Sequence, residues 1–456
     1  MNKTGTLDII IFMILLILLV QSCKKDEFKT SSGVDIIIPS GDENYLNEDS
    51  DYIFAQSKLL TIELNLPEGA LAYIDAEPAK EEYVEGSLTF EGETISPVNI
   101  RYKGSSGAWV NSLSGTNMFD ITGYKVATKL SLKIKFNWNN NGRTFYGLQK
   151  LQLHSQNLDP SQMHERLGYW LFGQMGVPAP RSVHARVIIN GTYYGLYALT
   201  EQIDESFANY HFSDGSGNIY KEVWPITKDG KAKSSCAFLR SLKTNTIGLP
   251  NADMILSFAK NIEAANDSDS LKTVIEQYMD IEKTMAYVVV DRMIGNDDGV
   301  FHWYCGNGCS NHNFFWYEEP SAGKIHLIPW DLDNAFENIL QHANPVTPIA
   351  NEWNESSNNC ESFPYGEWDN YQKSAACDKL IGGWTLYDQE YNNLKTEFIN
   401  GPFSVAEADA MIDLWANQIR SAIEEAAALH DDAISIEEWE NAIENLKNQL
   451  EYSRTH

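Results

Sequence analysis

The most constraining feature of the sequence is an apolar segment that ends in two carboxylates separated by one leucine. Residues 325–330 are followed by Asp331, Leu332 and Asp333. Side chains alternate between the two faces of a strand, so both aspartates are predicted on the same side. Two such carboxylates repel each other unless a cation or a shared proton lies between them. Their oxygens favour magnesium, manganese or calcium over zinc; the alternative is a structural turn that closes a strand.

A second acidic turn lies upstream of the first. The apolar segment 281–294 leads into Asn296, Asp297 and Asp298, and Asn313 precedes another apolar segment. Two acidic turns beside buried segments are unfavourable unless they share a ligand. We therefore predict that both turns contribute to one site.

The N-terminus predicts an exported lipoprotein. Residues 7–20 are too short to span a bilayer comfortably and have the length of a signal-peptide core. Residues 20–23 resemble the bacterial lipoprotein cleavage box, which implies a signal peptide over 1–22 and acylation of Cys23. Residues 23–57 are polar and acidic and are predicted as a flexible tether. We expect the protein in the cell envelope, lipid-anchored at Cys23 on the periplasmic or outer surface.

Charge limits the class of partner. The net charge of −29 argues against nucleic acid and against an anionic bilayer surface. Contact with the membrane is therefore expected through the lipid anchor only.

The cysteines predict disulfides in an oxidising compartment. With the first cysteine acylated, we expect Cys305 bonded to Cys309 and Cys360 bonded to Cys377, and Cys236 left over. A zinc site is the alternative, but the usual C-x2-C spacing is missing.

Alternation and turn signals predict an α+β protein. Strands are predicted at 60–66, 98–102, 129–136, 151–154, 183–189 and 193–199. An Asn190-Gly191 turn of type I′ joins the last two strands, and capping boxes at Ser404 and Ser435 open two C-terminal helices. We expect a β-rich N-terminal lobe at about 58–205 and a helical C-terminal lobe at 206–456.

Two features of the β-rich half suit phosphate. The turn that follows the second strand can present backbone N–H groups to phosphate oxygens; the alternative is a plain hairpin loop. Lys133 and Lys135 lie on one face of the predicted strand 129–136. Stacked lysines either form a solvated edge or reach phosphate as flexible point charges.

A series of short motifs keeps a fixed order between residues 58 and 336. The motifs are Arg101-Tyr102-Lys103-Gly104-Ser105-Ser106, 129–136, Asp159-Pro160-Ser161, Asn190-Gly191 through Glu201, Tyr220-Lys221, Asn296-x-Asp298, Asn313-Phe314 and Pro329-Trp330-Asp331-Leu332-Asp333. This series resembles the CotH family, the spore coat protein H type of atypical protein kinase. The resemblance implies a divergent, two-lobed protein-kinase-like fold. It also implies ATP with Mg²⁺ or Mn²⁺ and phosphorylation of Ser/Thr hydroxyls on exported or surface proteins.

The resemblance also implies roles for the matched residues. Asp298 resembles the catalytic aspartate that accepts the substrate hydroxyl proton, and Asn313 and Asp331 resemble metal ligands, with Asp333 assisting. The residues expected to bind the nucleotide are Arg101, Gly104, Ser105, Ser106, Lys133, Lys135, Glu201 and Lys221. Glu165 either pairs with the strand lysine or pairs with Arg166 at the surface.

A catalytically silent function is the alternative. A pseudokinase scaffold on the cell surface would bind a neighbouring protein or a glycan. Twelve tryptophans and the aromatic-rich segment 353–391 suit glycan contact, whereas core packing is the other interpretation of those aromatics. The two carboxylates, the asparagine and the basic strand favour the enzyme.

The lipid anchor gives a first testable prediction. Cys23→Ala should leave the protein unlipidated and largely released from membrane fractions, because the chain then has no acylation site. Intact-mass analysis of the wild-type protein is the direct measurement, and a mature chain without lipid on Cys23 would contradict the prediction.

Overall fold

The computed structural model describes residues 44–109, 111–115, 121–137, 142–296, 298–305, 308–337, 339, 360–365 and 370–456. The predicted signal peptide, the lipidation site Cys23, the first part of the predicted tether and Asp297 lie outside the described residues. Across these described ranges, no helix has both the length and the apolar character needed to cross a bilayer.

The N-terminal half forms a closed β-barrel. Its strands are β1 (Leu60–Asn65), β2 (Val84–Phe90), β3 (Glu93–Tyr102), β4 (Leu132–Lys135), β5 (Lys150–His154), β6 (Ser182–Ile189) and β7 (Thr192–Thr200). Neighbours follow the order β1-β2-β3-β4-β5-β7-β6, and β6 closes the barrel by parallel pairing with β1. Alternate residues such as Ile62, Leu64, Ile134 and Leu153 are fully buried, because period-2 alternation turns them into the barrel interior.

The hairpin predicted at Asn190-Gly191 is confirmed. Both residues have positive φ, 50° and 79°, as a type I′ turn requires, and Ile189 pairs with Thr192 across it. The strand predicted over 129–136 is shorter in the structure, because its pairing with β3 starts only at Leu132.

The rest of the chain is mainly helical, with two small sheets. The helices are α1 (Ala70–Ala76), α2 (Ser106–Trp109), α3 (His164–Gln174), α4 (Glu205–His211), α5 (Ser235–Ser241), α6 (Asp253–Ala264), α7 (Ser268–Tyr278), α8 (Ile281–Met293), α9 (Lys379–Trp384), α10 (Asp388–Asn400), α11 (Ala410–Leu429) and α12 (Ile436–Thr455). The further strands are β8 (Ile219–Lys221), β9 (Trp303–Cys305), β10 (Cys309–Ser310), β11 (Phe314–Glu319), β12 (Lys324–Pro329), β13 (Phe363–Tyr365) and β14 (Asn370–Lys373). They pair in the orders β12-β11-β8 and β10-β9-β14-β13. The predicted α+β class is confirmed.

Part of the predicted tether is folded. Residues 44–57 lie against the barrel, where Ile53 is fully buried and Phe54 nearly so. The Gln56 side chain donates to the Ser182 carbonyl at 3.0 Å. The folded part therefore begins before Lys58, because the buried side chains of Tyr45, Ile53 and Phe54 anchor this otherwise polar segment.

The two predicted disulfides are confirmed. Cys305 is bonded to Cys309, and Cys360 is bonded to Cys377. Cys236 is also disulfide-bonded, so the expectation that it is left over is wrong.

Helices α11 and α12 tie the barrel to the helical region. The Tyr193 hydroxyl at the β7 hairpin donates to the Ala422 carbonyl at 3.0 Å, and the Ser453 hydroxyl donates to the Met293 carbonyl at the end of α8 at 2.6 Å. The capping box at Ser435 is confirmed. That at Ser404 is wrong, because Ser404 makes no side-chain cap and a π-helical turn precedes α11.

The contact of α12 with the start of α3 gives a second prediction. The Trp439 indole is buried, and its Nε1 donates to the Ser161 carbonyl at 3.0 Å. Trp439→Ala should lower the free energy of unfolding by about 3–5 kcal/mol, because it leaves a cavity and an unpaired carbonyl. Leu429→Ala is the control, since the Leu429 side chain is mostly exposed and its loss should change stability by no more than about 0.5 kcal/mol. Chemical denaturation measures both, and equal effects would contradict the buried contact.

Candidate active site

The β11–β12 hairpin brings Asn313 and Asp331 together. Phe314 pairs with Pro329 in the antiparallel register, and the Trp330 N–H donates to the Asn313 carbonyl at 3.2 Å. Asn313 and Asp331 both have left-handed backbone, with φ of 57° and 58°, a conformation that Asn and Asp tolerate better than most residues. Both strands therefore end at the same end of the hairpin, where Asn313 and Asp331 leave the ladder.

Asp298 joins this pair through Asn313. The Asn313 Nδ2 donates to Asp298 Oδ2 at 2.8 Å. The segment between them carries the Cys305–Cys309 hairpin, and the Asn311 side chain closes its base by donating to the Val300 carbonyl at 3.0 Å. The disulfide and this hydrogen bond therefore bring the two ends of the long insertion close together before the chain reaches Asn313.

A buried hydrogen-bonded pair supports the turn that leads to Asp298. The Asn296 Nδ2 donates to Asp291 Oδ1 at 2.8 Å, and the Asn296 N–H donates to the Asp291 carbonyl at 3.1 Å. Burial raises the pKa of the Asp291 carboxyl to about 7, although the Asn296 hydrogen bond and the Arg292 charge oppose the increase. This pair fixes the path of the chain between α8 and Asp298.

Helix α3 packs directly on the Asp331–Asp333 turn. The Tyr169 hydroxyl accepts the Asp331 N–H at 2.9 Å, and the His164 Nδ1 donates to the Asp333 carbonyl at 2.8 Å. A methyl group added at Gly168 would lie 2.7 Å from Leu332 Cδ1. The close approach of helix and turn therefore depends on the missing side chain at this position.

The start of α3 follows the predicted motif with a shift. The helix begins at His164, four residues after Pro160. Asp159 nevertheless caps it, since Asp159 Oδ2 accepts the His164 N–H at 2.8 Å. Asp159 is buried and also accepts from the Ser161 hydroxyl at 2.6 Å.

The acidic side of the site carries unbalanced negative charge. Burial raises the pKa of the Asp331 carboxyl, the Glu165 charge raises it further, and Lys103, among other bases, opposes the increase. Burial and the neighbouring charge of Asp331 hold the pKa of Asp333 well above its usual range, with Glu165 and Asp298 adding to the effect. A cation between these carboxylates would relieve the repulsion.

A group of amines lies beside the acidic residues, with Lys103 and Lys221 close enough for their charges to act on Asp331. Burial lowers the pKa of Lys103 to about 8, while the Asp331 and Glu165 charges oppose the decrease. Burial, and then the positive charges of Lys103 and its neighbours, lower the pKa of Lys133 to about 7. Lys221, at the end of β8, is close enough for its charge to lower the pKa of both Asp331 and Lys103. Clustered amines of this kind gain from an anion placed among them.

A histidine links Lys103 to α3. His154 ends β5, and its Nε2 lies 2.6 Å from Lys103 Nζ. Its Nδ1 lies 2.7 Å from Glu165 Oε2 and 2.8 Å from Oε1. Glu165 is therefore paired toward the barrel lysine through His154, and Arg166 turns instead to His184 at 2.7 Å.

Other residues of the predicted site are engaged elsewhere. The Glu201 carboxylate is buried against Arg181 and His211; burial by itself would raise its pKa, but His211 and Arg181 lower it to about 2. Arg101 forms an ion pair with Glu81.

The remaining residues predicted to bind the nucleotide lie on β4 and in the turn that follows β3. Lys135 lies farther along β4 than Lys133. Burial and then the Lys150 charge lower the pKa of Lys135. Gly104 follows Lys103 directly and its N–H donates to Glu81 at 3.0 Å. Ser105 is exposed and Ser106 begins α2, so this turn lies beside Lys103.

Sequence reasoning did not assign roles to Lys103, His154 and Tyr169. Lys103 belongs to the motif that contains Gly104, but the role of phosphate-binding lysine was predicted for Lys133 and Lys135 of the neighbouring strand. His154 was the last residue of a predicted strand, and only its partner Glu165, one helix away, could have marked it. Tyr169 reads as one more aromatic residue of an apolar helix face.

The residues at the hairpin end suit a divalent cation that is shared with phosphates. Within the described residues, no three His, Cys, Asp or Glu side chains are placed to hold a metal ion by themselves. Mg²⁺ is usually held by one or two carboxylates together with substrate phosphates and water. Asp331 and Asp333, with raised pKa and opposite a basic group, fit that type of site.

Comparison with known proteins identifies the family. Residues 100–455 match the family described as CotH kinase protein. The chain belongs to this family. The chain is similar to Inner spore coat protein H of Bacillus subtilis, with 22% identity over 200 residues. That match covers 42% of this chain and 51% of the relative, so the chain spans about half the length of that CotH protein.

Two further similarities extend over more of the chain. The Inner spore coat protein H-like protein of Bacillus subtilis is 20% identical over 317 residues, which is 69% of this chain and 82% of the relative. The crystal structure of the Helicobacter pylori proinflammatory kinase CtkA matches with a TM-score of 0.27 and 11% identity, covering 82% of this chain and 95% of that one. Membership in the CotH family rests on the match over residues 100–455.

The close packing of α3 on the aspartate turn gives a third prediction. Gly168 and Gly173 lie in the same helix, but an added methyl group meets Leu332 at Gly168 and nothing within 4 Å at Gly173. Gly173→Ala should stabilise the protein by up to about 1 kcal/mol through helix propensity. Gly168→Ala should instead destabilise it by about 1–3 kcal/mol, because Leu332 is fully buried and must move. Equal stabilisation of both variants in chemical denaturation would contradict the packing.

Proposed function

We propose that this CotH protein is an exported protein kinase that depends on ATP and a divalent cation and phosphorylates Ser/Thr hydroxyls of exported or surface proteins. The observation that carries the proposal is the contact of Asn313 with Asp298, whose charge acts on Asp333 together with that of Asp331, while the Lys103 ammonium is close enough to act on Asp331. An acidic group that suits a cation and a basic group that suits phosphate are the two requirements for binding a metal–nucleotide complex.

Each side of the site has a distinct binding task. Asp331, assisted by Asp333 and Asn313, would hold Mg²⁺ or Mn²⁺, and that cation would neutralise the charge of the nucleotide phosphates. Lys103 and Lys133 would contact the phosphates directly, and the Gly104 turn would cover them with backbone N–H groups. Lys221 adds positive charge near Asp331. Positioning and charge neutralisation of this kind supply most of the catalysis in phosphoryl transfer.

Asp298 would act on the acceptor hydroxyl. The hydroxyl oxygen attacks the γ-phosphorus of ATP, the bond from that phosphorus to the β–γ bridging oxygen breaks, and ADP leaves with the electron pair. Asp298 accepts the hydroxyl proton. The hydrogen bond from Asn313 to Asp298 Oδ2 orients the carboxylate for that task.

The envelope location is part of the same proposal. Disulfides persist in oxidising compartments, and Cys305–Cys309 and Cys360–Cys377 support an exported chain. Anchoring through acylated Cys23 would place the kinase at a membrane surface, with exported proteins as its substrates.

The aromatic segment 353–391 gives little support to the alternative function, a catalytically silent scaffold that binds a protein or a glycan. Trp384, Tyr387 and Tyr391 are buried in the helical core. In the described part of 353–391 these rings therefore serve packing, although Tyr371 is 46% exposed.

Two substitutions separate cation binding from chemistry. Asp331→Ala should lose metal-dependent nucleotide binding, because the phosphate charge is no longer neutralised. Asp298→Asn should keep that binding and lose transfer by about 10²–10⁴-fold, because only the positioned base is removed. Calorimetry with ATP and Mg²⁺ or Mn²⁺ measures binding, and labelled ATP with exported protein substrates measures transfer.

The control for this pair is Asp269→Asn. Asp269 is exposed in the first turn of α7, so its loss should change neither binding nor transfer. Loss of transfer in Asp331→Ala with nucleotide binding intact would remove Asp331 from the metal site. A wild-type protein that binds no nucleotide with either cation would favour the scaffold.

A further inference from the structure

The residue between Lys103 and Glu165 is the least expected part of the site. A lysine and a glutamate on neighbouring elements can pair directly, yet here the His154 ring lies between them, 2.6 Å from Lys103 Nζ and 2.7 Å from Glu165 Oε2. His154 and Glu165 are both buried.

The partners determine which imidazole nitrogen carries the proton. An ionised carboxylate only accepts hydrogen bonds and an ammonium only donates them. The Glu165 carboxylate therefore accepts from His154 Nδ1–H, and the Lys103 ammonium donates to the unprotonated Nε2. The ring is neutral in this arrangement, and its tautomer is set by the hydrogen bonds on both sides.

A third element holds the same group. The His154 ring packs edge-on against Trp330, with centroids 5.7 Å apart and planes at 87°. The Lys103 ammonium lies 5.3 Å from the centre of the same Trp330 ring. Trp330 is directly followed by Asp331, so His154 and Lys103 are both positioned relative to the acidic turn. The barrel, α3 and the β12 end meet at this one histidine.

We propose that His154 is a positioning residue: it holds the Lys103 ammonium toward the nucleotide phosphates and makes the placement of that lysine depend on α3. This role rests on the proposed kinase function. A direct Lys103–Glu165 pair would set the carboxylate against the ammonium, whereas a neutral ring keeps the carboxylate one residue away. Lys103 then has a fixed direction and keeps most of its positive charge for a phosphate.

The role acts through Lys103, so it predicts how substitutions combine. His154→Ala should weaken ATP binding about 10–100-fold, as is typical when the partner that orients a ligand-binding group is lost. Lys103→Met should have a similar effect, and His154→Ala should add little in the Lys103→Met background, because the two residues form one unit. AMP should bind with unchanged affinity, since the effect concerns the outer phosphates. His154→Gln, which keeps one donor and one acceptor, should recover most of the ATP affinity.

A second histidine provides the matched control. His326 Nε2 lies 3.0 Å from Glu319 Oε2, and both residues are buried at the other end of the β11–β12 hairpin. His326→Gln removes a buried His–Glu pair of the same kind, far along the strands from Asp331. It should leave ATP affinity unchanged.

The experiment combines calorimetry with a spectroscopic test of which His154 nitrogen carries the proton. Calorimetric titrations with ATP and AMP in Mn²⁺ are made on the full chain and these variants, and ¹⁵N-histidine NMR of the wild-type protein reports the His154 tautomer, assigned by its loss in His154→Gln. The expected result is a protonated Nδ1, an unprotonated Nε2 and non-additive losses of ATP affinity. Additive losses, or equal losses for ATP and AMP, would overturn the positioning role while leaving the kinase function in place. A wild-type chain that binds no ATP would overturn both the kinase function and the role of His154 in it. A protonated Nε2 would by itself overturn the hydrogen bond from Lys103 to His154.

Discussion

The antiparallel register of β11 and β12 is the constraint on which the site depends. Phe314 opposes Pro329, so Asn313 and Asp331, far apart in sequence, leave the hairpin at the same end. The left-handed backbone at both residues ends the ladder there and releases their side chains from the strand faces. A shift of register by one residue would turn every side chain of the shifted strand to the other face, and a shift of β11 would separate Asn313 from Asp298.

Helix α3 converts that local arrangement into one that involves the whole fold. Its side chains contact the aspartate turn through Tyr169 and His164, and the barrel through Glu165. Arg166 extends the connection to α11 through Gln418 at 2.9 Å and to residues 44–57 through the Gln56 carbonyl at 2.8 Å. Because one short helix carries these contacts in consecutive turns, a shift of α3 would move the basic and the acidic side of the site together.

The strands and long helices were accessible to sequence reasoning because their signals are local. The Asn190-Gly191 hairpin and the buried face of Leu132 and Ile134 follow from turn chemistry and alternation. Barrel closure was not predicted, since the parallel pairing of β1 with β6 joins distant segments. The folded segment 44–57 was missed because its polar and charged residues together outnumber the apolar residues that hold it.

The candidate site likewise contains residues that local motifs predicted and contacts that only the fold determines. Asp298, Asn313 and Asp331 belong to short ordered motifs; the structure joins Asp298 to Asn313 by a hydrogen bond and places Asn313 and Asp331 at the same end of the β11–β12 hairpin. The choice between Lys133 and Lys103 could not be made from sequence, because it depends on what the fold packs around them: Lys103 meets His154 from another strand, and His154 in turn meets Glu165 from a helix. Glu201 illustrates the opposite case, since its motif suggested a place near the nucleotide but the fold gives its carboxylate to Arg181 and His211.

We propose that the acidic turns and the neighbouring amines form a site for a metal–nucleotide complex. A calorimetric titration of the wild-type chain with ATP, made with and without Mn²⁺, tests it most directly. We expect saturable binding of one ATP per chain that is strong with the cation and largely lost without it, because the carboxylates of Asp331 and Asp333 would otherwise repel the phosphates. Binding of equal strength with and without the cation, or no binding at all, would contradict it.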